Sequence, residues 1–399
     1  MKSKLLLLFL LTNCISNSYA QNKSEMKKLV AESFNYATDQ YKYMMTQLPN
    51  GKDMPQRYNF STNKIEAGSQ GVSWWCTGFY PGSLAYIFEQ TQDSVIKNEL
   101  KRALKYIEPN QFYTGNHDLG FMMFNSYGNA FRIFKDPEYK PIIFNSAASL
   151  AKRYIPSVKA IQSWGNYLKS KDAPVIVDNM LNLELLFWVA ENGGDKRYKE
   201  IAINHADKTL ENHFRSDFSS YHVVNYNKET GKVIGKRTHQ GYSDNSAWAR
   251  GQGWGLYGYT MMYRFTKDKR YLIQAQNIAN FILTHKNLPT DKIPYWDFDA
   301  PDIPNTVRDA SAGALIASAL LELGQYTNKK DSKLYVENAG KMLISLSSNS
   351  YRPKKGTTGG FLLLHSTGGL PLKSEIDVPI IYADYYYLEA LKRYKDWYL

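Results

Sequence analysis

The chain is 399 residues long, carries 49 Lys and Arg against 37 Asp and Glu for a formal charge of +12, and is 43% hydrophobic and 14% aromatic. Apolar content at that level fills a folded core and excludes disorder, collagen and coiled coil. The 31 Tyr, 18 Phe and 8 Trp suit a large core or a groove for flat, hydroxylated ligands.

Residues 1–20 read as a signal peptide: Lys2 and Lys4, the apolar run Leu5 to Leu11, and the small-x-small ending Ser18-Tyr19-Ala20 before Gln21. A lipid-anchored reading at Cys14 fails because Asn13 stands where such signals carry a small residue. Cleavage leaves Cys76 as the one remaining cysteine, so no disulfide forms within the chain. That pattern predicts export to a Gram-negative periplasm, with secretion as the other destination. No other segment approaches a membrane-spanning length.

From there a repeat organises the chain. A helix over about 23–47 is followed five times by an apolar helix, a short polar turn containing Asp, and a second helix. The turns are Thr91-Gln92-Asp93, Lys135-Asp136, Gly194-Asp195, Lys267-Asp268 and Lys330-Asp331, the last four followed closely by Tyr. First helices are predicted to begin near Thr77, Gly120, Val177, Ala247 and Arg308, and second helices to end near Ile107, Tyr154, Phe214, His285 and Leu346. A last helix over about 378–394 can pair with the first. Six hairpins whose apolar faces must cover one another predict a single all-α domain over 21–399, an (α/α)6 barrel with the glycine-rich first helices inside. Strands are expected only in mouth loops, at 220–224, 233–238 and 360–365.

The longer connections precede the first helices and therefore gather at one mouth. Asn116-His117-Asp118 and Val177-Asp178-Asn179 each put an Asp where a helix begins, where an N-cap is the plainer role. Facing one cavity, however, the two would form a carboxylate pair whose pKa values are driven apart, as acid/base chemistry on a glycoside requires. In Trp248-Ala249-Arg250-Gly251-Gln252-Gly253-Trp254, Arg250 and Trp254 share a helix face and suit a carboxylated ring, or else form a buried ion pair beside a core Trp. His222 alternates like a strand residue and can point into the mouth. Trp74-Trp75-Cys76-Thr77-Gly78-Phe79 and Trp164 offer aromatic walls. Metal-binding, dinucleotide, phosphate-loop and nucleophile-elbow motifs are missing, and Asp297, Asp299 and Asp302 lack calcium-loop spacing. No cofactor or metal is therefore expected. Basic residues are scattered, which argues against nucleic acid and leaves an anionic sugar as the partner that fits the charge.

These segments, with His239-Gln240-Gly241-Tyr242-Ser243-Asp244, Asp178-Asn179-Met180-x-Asn182 and His117-Asp118-Leu119-Gly120-Phe121, resemble the unsaturated glucuronyl hydrolases, glycoside hydrolase family 88, over the whole mature chain. The resemblance implies removal of a 4,5-unsaturated uronate from lyase-generated oligosaccharides by hydration of its enol ether. It implies Asp178 as general acid/base and Asp118 as its partner. His222, Gln240, Arg250 and Trp254 would bind the uronate, Trp75, Phe79 and Trp164 would stack around it, and the Ser366–Gly369 loop would lie near the next sugar. A sulfated parent polysaccharide, ulvan or a glycosaminoglycan such as chondroitin or heparin, fits the basic chain. The competing readings are an inverting glycosidase or lyase on the same barrel, or a glycan-binding protein without turnover. A monomer and a homodimer both remain open.

Overall fold

In the computed structural model, residues 23–48 and 53–399 are described; the segment read as a signal peptide, residues 1–20, lies outside them. Helix α1 (Lys2–Gln47) is described from Lys23 onward. Then α2 (Phe79–Thr91) pairs with α3 (Ser94–Ile107), α4 (Asn129–Phe134) with α5 (Tyr139–Ala151), α6 (Leu183–Glu191) with α7 (Arg197–Asn212), α8 (Ala249–Thr266) with α9 (Lys269–Thr284), and α10 (Ala310–Leu323) with α11 (Lys329–Leu346). The sixth pair is α12 (Ile381–Tyr398) with α1.

The repeated turns have a common cause. Gln92, Lys135 and Lys267 take the left-handed conformation and close one helix; Asp93, Asp136 and Asp268 then accept hydrogen bonds from amides that open the next. A left-handed residue satisfies the last carbonyls and an acidic cap satisfies the first free amides. At the fifth turn the cap is Asn328, which accepts from the amides of Lys330 and Asp331, so Asp331 does not hold the role its place in the repeat suggested.

Six helical segments form the inner ring: α2, the 120–134 segment, the 177–191 segment, α8, α10 and α12, each packed on the next, with α12 against α2 closing the circle. Every residue of α10 is buried, whereas outer α3 buries only Ile96, Leu100, Ala103, Leu104 and Ile107, a stripe of helical period. On α8 a side chain at Gly253 would place its first carbon 2.7 Å from Leu315, and at Gly258 2.4 Å from Met180. These glycines serve close helix packing.

The inner helices depart from plain α geometry at two places. Residues Gly120–Gly128 are π-helical, and Val177–Asn182 form a 3-10 turn. Neither was legible from periodicity, and both start beside a predicted mouth Asp. Elsewhere first helices begin two or three residues later than expected, at Phe79, Ala249, Ala310 and Ile381.

Strands confine themselves to loops. A three-stranded antiparallel sheet, β5 (Asp172–Ile176), β6 (Val223–Asn227) and β7 (Val233–Arg237), flanks the mouth, with Ile176 opposite Val223 and Val223 opposite Arg237. β6 begins later than expected and β5 was not expected. Two small hairpins, β1 (Pro55–Asn59) with β2 (Lys64–Ala67) and β3 (Tyr154–Ile155) with β4 (Ala160–Ile161), were also unforeseen. The strand expected over 360–365 is absent: a short 3-10 turn at Thr358–Gly360 leads into extended chain whose one bridge is Ser366 to Val378.

Candidate active site

A cavity of about 390 Å³ opens at the mouth. Gly120 brings its two carboxyls together. A side chain there would lie 2.5 Å from the Asn182 Cα, and the Phe121 amide donates to Asn182 Oδ1 at 3.0 Å. The π-helix start is thereby locked onto the 3-10 turn, and Asp118 and Asp178, one at each, both line the cavity.

Neither Asp is a cap. The π-helix and the 3-10 turn both begin without a side-chain cap bond, and Asp118 and Asp178 are 7% and 9% exposed. Their carboxyls are spent on the cavity. His117 Nε2 stands 3.3 Å from Asp118 Oδ1, and His222 Nε2 stands 3.5 Å from Asp178 Oδ2, an oxygen with no hydrogen-bond partner.

Burial pushes the Asp118 carboxyl up to about 8, helped by the charge of Asp178 and opposed by Arg153. Burial likewise lifts Asp178 to about 7, against the pull of Arg250, a backbone amide and the Trp254 indole. A carboxyl that keeps its proton near neutrality can serve as a general acid. The histidines move the other way: burial lowers His117 to about 3 and takes His222 well below its usual range, with His239 and Arg250 adding to the effect on His222. His222 is therefore a neutral ring. Its Nδ1 accepts from the Gln240 amide at 3.2 Å, which leaves the ring proton on Nε2, facing Asp178.

Of the expected sugar-binding residues, Trp75, Trp164, Gln240 and Arg250 line the cavity. Trp164 packs on His239 at 5.0 Å, and Gln240 Nε2 donates to the Gly368 carbonyl at 2.8 Å. His222 stands behind Asp178 and stacks on Trp248 at 4.4 Å.

The structure corrects three assignments and adds a second role to a fourth. Phe79 is fully buried behind Trp75 and Phe121, with ring centroids at 5.7 and 5.5 Å, so it supports the aromatic wall from the second layer. Trp254 is also fully buried, packed between Phe121 and Tyr386, and its unpartnered Nε1 acts on Asp178 from below. Ser366 is buried with its amide bonded to Val378, and the loop presents Gly368 and Gly369 to the cavity instead. Arg250 also holds the barrel wall: Nη1 donates to Asp309 Oδ2 at 2.7 Å and to the Thr367 carbonyl at 2.8 Å, and Nη2 donates to the Gly368 carbonyl at 2.5 Å. Arg250 thus lines the cavity, forms a buried ion pair with Asp309 and fixes the loop wall. Arg153 does the same across the mouth, donating to the carbonyls of Thr114, Gln162, Ser163 and Gly165 and so bracing the segment that carries Trp164.

Sequence reasoning missed the cavity-lining Tyr113 and Glu375, and named Trp74, Asn116 and His239 only as parts of longer segments. Those three adjoin residues it did single out, which is the signal that was available. Nothing local marks Glu375. Among the described residues, no group of three or more His, Cys, Asp or Glu is placed to hold a metal ion, and no helix is long and apolar enough to cross a membrane.

An (α/α)6 barrel with a protonatable carboxyl pair in an aromatic mouth suits acid/base chemistry on a glycoside. No protein-family model matches the chain. It is 41% identical to an unsaturated glucuronyl hydrolase of Formosa agariphila, covering 97% of this chain and 95% of that protein. It is 35% identical to an unsaturated chondroitin disaccharide hydrolase of Streptococcus pyogenes, over 81% and 82% of the two chains. The crystal structure of an unsaturated glucuronyl hydrolase specific for heparin superposes with a TM-score of 0.88 at 43% identity, covering 92% of this chain and 97% of that one. The chain belongs to the unsaturated glucuronyl hydrolases.

Proposed function

We propose that the protein removes the non-reducing 4,5-unsaturated uronate from lyase-generated oligosaccharides, with Asp178 as general acid and then base. The supporting observation is a buried carboxyl at the cavity floor, freed from capping, its Oδ2 unpartnered, and held protonated near neutrality. Asp178 delivers its proton to C4 of the enol ether, the cation develops at C5, and water adds there while losing a proton to the carboxylate. The hemiketal so formed opens and releases the neighbouring sugar. Asp118 keeps the pair from ionising together, and the neutral His222 turns its Nε2–H toward Asp178 at 3.5 Å, ready to donate once the carboxyl ionises.

Among the described residues lining the cavity, Arg250 is the sole Lys or Arg, and part of its guanidinium holds Asp309 and loop carbonyls. The uronate carboxylate is thus received beside the acid pair, with Arg250 as the one cation in the cavity wall. The parent polysaccharide is a sulfated one, a glycosaminoglycan or ulvan. The relatives named for chondroitin and heparin favour the first, and the exported, basic chain admits the second. A sulfate on the next sugar would then lie at the rim, outside the cation-poor cavity. A panel of lyase-generated oligosaccharides from each polysaccharide, followed by loss of enol-ether absorbance, tests reaction and substrate together; a rise in absorbance would mark a lyase, and binding without turnover a glycan-binding protein. The signal peptide and periplasmic destination remain part of this reading, and fractionation of the expressed protein checks them.

A further inference from the structure

The guanidiniums that reach into the barrel stand against acids: Arg250 against Asp309 at 2.7 Å, Arg264 against Glu322 at 2.8 Å and Arg393 against Glu322 at 2.9 Å. Arg153 does not. It is fully buried, and among the described residues no Asp or Glu forms an ion pair with it. Instead Nε donates to the Gln162 carbonyl at 2.8 Å, Nη1 to that of Thr114 at 2.6 Å, and Nη2 to those of Ser163 and Gly165 at 3.3 and 3.2 Å. Carbonyls fill its hydrogen-bonding capacity without cancelling its charge. Burial lowers the guanidinium only to about 10, so the charge is present at neutral pH.

The four carbonyls belong to two segments of the mouth. Thr114 leads directly into Gly115, Asn116, His117 and Asp118, and Gln162, Ser163 and Gly165 surround Trp164; Gly115 to Asp118, Trp164 and Gly165 all line the cavity. One planar fork therefore ties the segment that carries an acid to the segment that carries an aromatic wall. The Arg153 carbonyl accepts from the Gln162 amide at 3.0 Å, and the Tyr167 ring covers the guanidinium at 5.2 Å, so the fork is itself held in place. Its charge reaches Asp118, whose carboxyl it pulls down against burial, and His117, Tyr113 and Lys228 also face it. At the pair, Arg153 is the cation that acts on Asp118 and Arg250, from α8, the one that acts on Asp178. Cys76 and Tyr113, which burial keeps un-ionised, and the neutral His117 and His222 complete the surroundings.

We propose that Arg153 is a positioning residue for the reaction: its fork fixes the Asp118 segment against the Trp164 wall, and its unneutralised charge sets the pH at which the carboxyl pair gives up its proton. This rests on the reaction proposed above. A nearby cation favours the ionised form of a carboxyl, so the charge works against burial and keeps the pair acidic enough to release a proton near neutrality. The fork needs a planar group with several donors at fixed angles, which a lysine ammonium does not supply. Charge and fork are thereby separable by substitution.

The test compares the wild type with Arg153→Lys, which keeps the charge and loses the fork, and Arg153→Gln, which loses the charge and keeps an amide donor. Each is followed across pH by the infrared band of protonated carboxyls and by loss of enol-ether absorbance with an unsaturated disaccharide. In Arg153→Gln, loss of the band and the alkaline fall of turnover are expected about one pH unit above the wild type, whereas in Arg153→Lys both stay within about 0.2 units of it. KM is expected to rise about tenfold in both variants with a smaller change in kcat. An unmoved titration in Arg153→Gln, a displaced one in Arg153→Lys, or a wild-type KM in Arg153→Lys overturns the proposal. Arg153→Lys decides by itself if Arg153→Gln does not fold. The band is read without turnover, so a band that shifts as expected in proteins that turn over nothing supports the role of the charge and overturns the reaction, whereas turnover with an unmoved band overturns this inference alone.

Discussion

The two ends of the barrel treat buried charge in opposite ways. At the end away from the mouth, a cavity of about 530 Å³ is bordered by α4, α6, α8 and α12 and is larger than the mouth cavity. Its acids are matched. Glu389 accepts from the hydroxyls of Tyr86, Tyr257 and Ser318, and behind it Glu322 pairs with Arg264 at 2.8 Å and Arg393 at 2.9 Å. Burial lifts the Glu322 carboxyl, but Arg264 and Arg393 outweigh it and hold the group below its usual range. At the mouth, Asp118 and Asp178 are equally buried and face neutral histidines, while the nearby guanidiniums of Arg153 and Arg250 are occupied by carbonyls and Asp309. There burial wins and both carboxyls rise. Burial alone does not set a carboxyl's protonation; the cations within reach decide whether it becomes structural ballast or an acid. Size of cavity is thus a poor guide to chemistry in this molecule.

The largest effect expected from that contrast is on Asp178. Asp178→Asn removes the transferable proton while keeping shape, and turnover should fall by about 10²–10⁴-fold with the helical circular dichroism unchanged. At the other end, Glu322→Gln breaks a buried ion network and should cost about 3–5 kcal/mol of unfolding free energy in denaturant titrations, with kcat/KM of the folded protein close to wild type. Equal effects of the two substitutions on both readouts would erase the distinction between the ends.

The pH profile sharpens it. The acid must carry its proton, so turnover should be fully present below the raised pKa and decline as pH climbs through about 7, by up to about tenfold per unit. Arg250→Ala should raise KM by about tenfold with a smaller change in kcat, because it frees the 367–368 carbonyls and loosens the loop wall; calorimetric titration of an oligosaccharide checks this. The smallest effect concerns stability. A carboxyl whose folded pKa exceeds its unfolded value loses stabilisation as pH rises through the folded value. Asp118→Asn, neutral at every pH, should therefore melt a few degrees above wild type at pH about 9 and converge with it near pH 4, a comparison readily made by thermal scans.

The same contrast shows what a single chain of letters reveals. The barrel was legible because its turns are local: Asp93 and Asp268 cap the helices that follow them, Asp136 accepts from the Glu138 amide just before the next helix, and amphipathic stripes such as Ile96, Leu100 and Leu104 repeat at helical spacing. Asp118 and Asp178 stood out because polar groups at loop ends are few. Their special geometry did not, because the π-helix and 3-10 turn depend on Gly120 meeting Asn182 across the ring. The wall-holding role of Arg250 was hidden for the same reason: Asp309 and the 367–368 carbonyls lie far along the chain. Phe79 and Trp254 belong to an aromatic stack whose depth composition does not record, which placed them one layer too near the substrate. The 360–365 segment has strand-like letters, but with no neighbouring strand it stays extended and unpaired beyond Ser366. Glu375 depends on Gln56 and Tyr382, again distant partners.

The central claim is that the mouth carboxyl pair keeps a proton near neutral pH and uses it. Infrared difference spectroscopy of the protonated-carboxyl C=O stretch, comparing wild type with Asp178→Asn across a pH titration, addresses it directly. The account predicts a wild-type band present at pH about 6, lost as pH rises through the range of about 7 to 8 in step with turnover, and altered by Asp178→Asn. A wild type that is fully active at pH about 6 with no protonated-carboxyl band would contradict it.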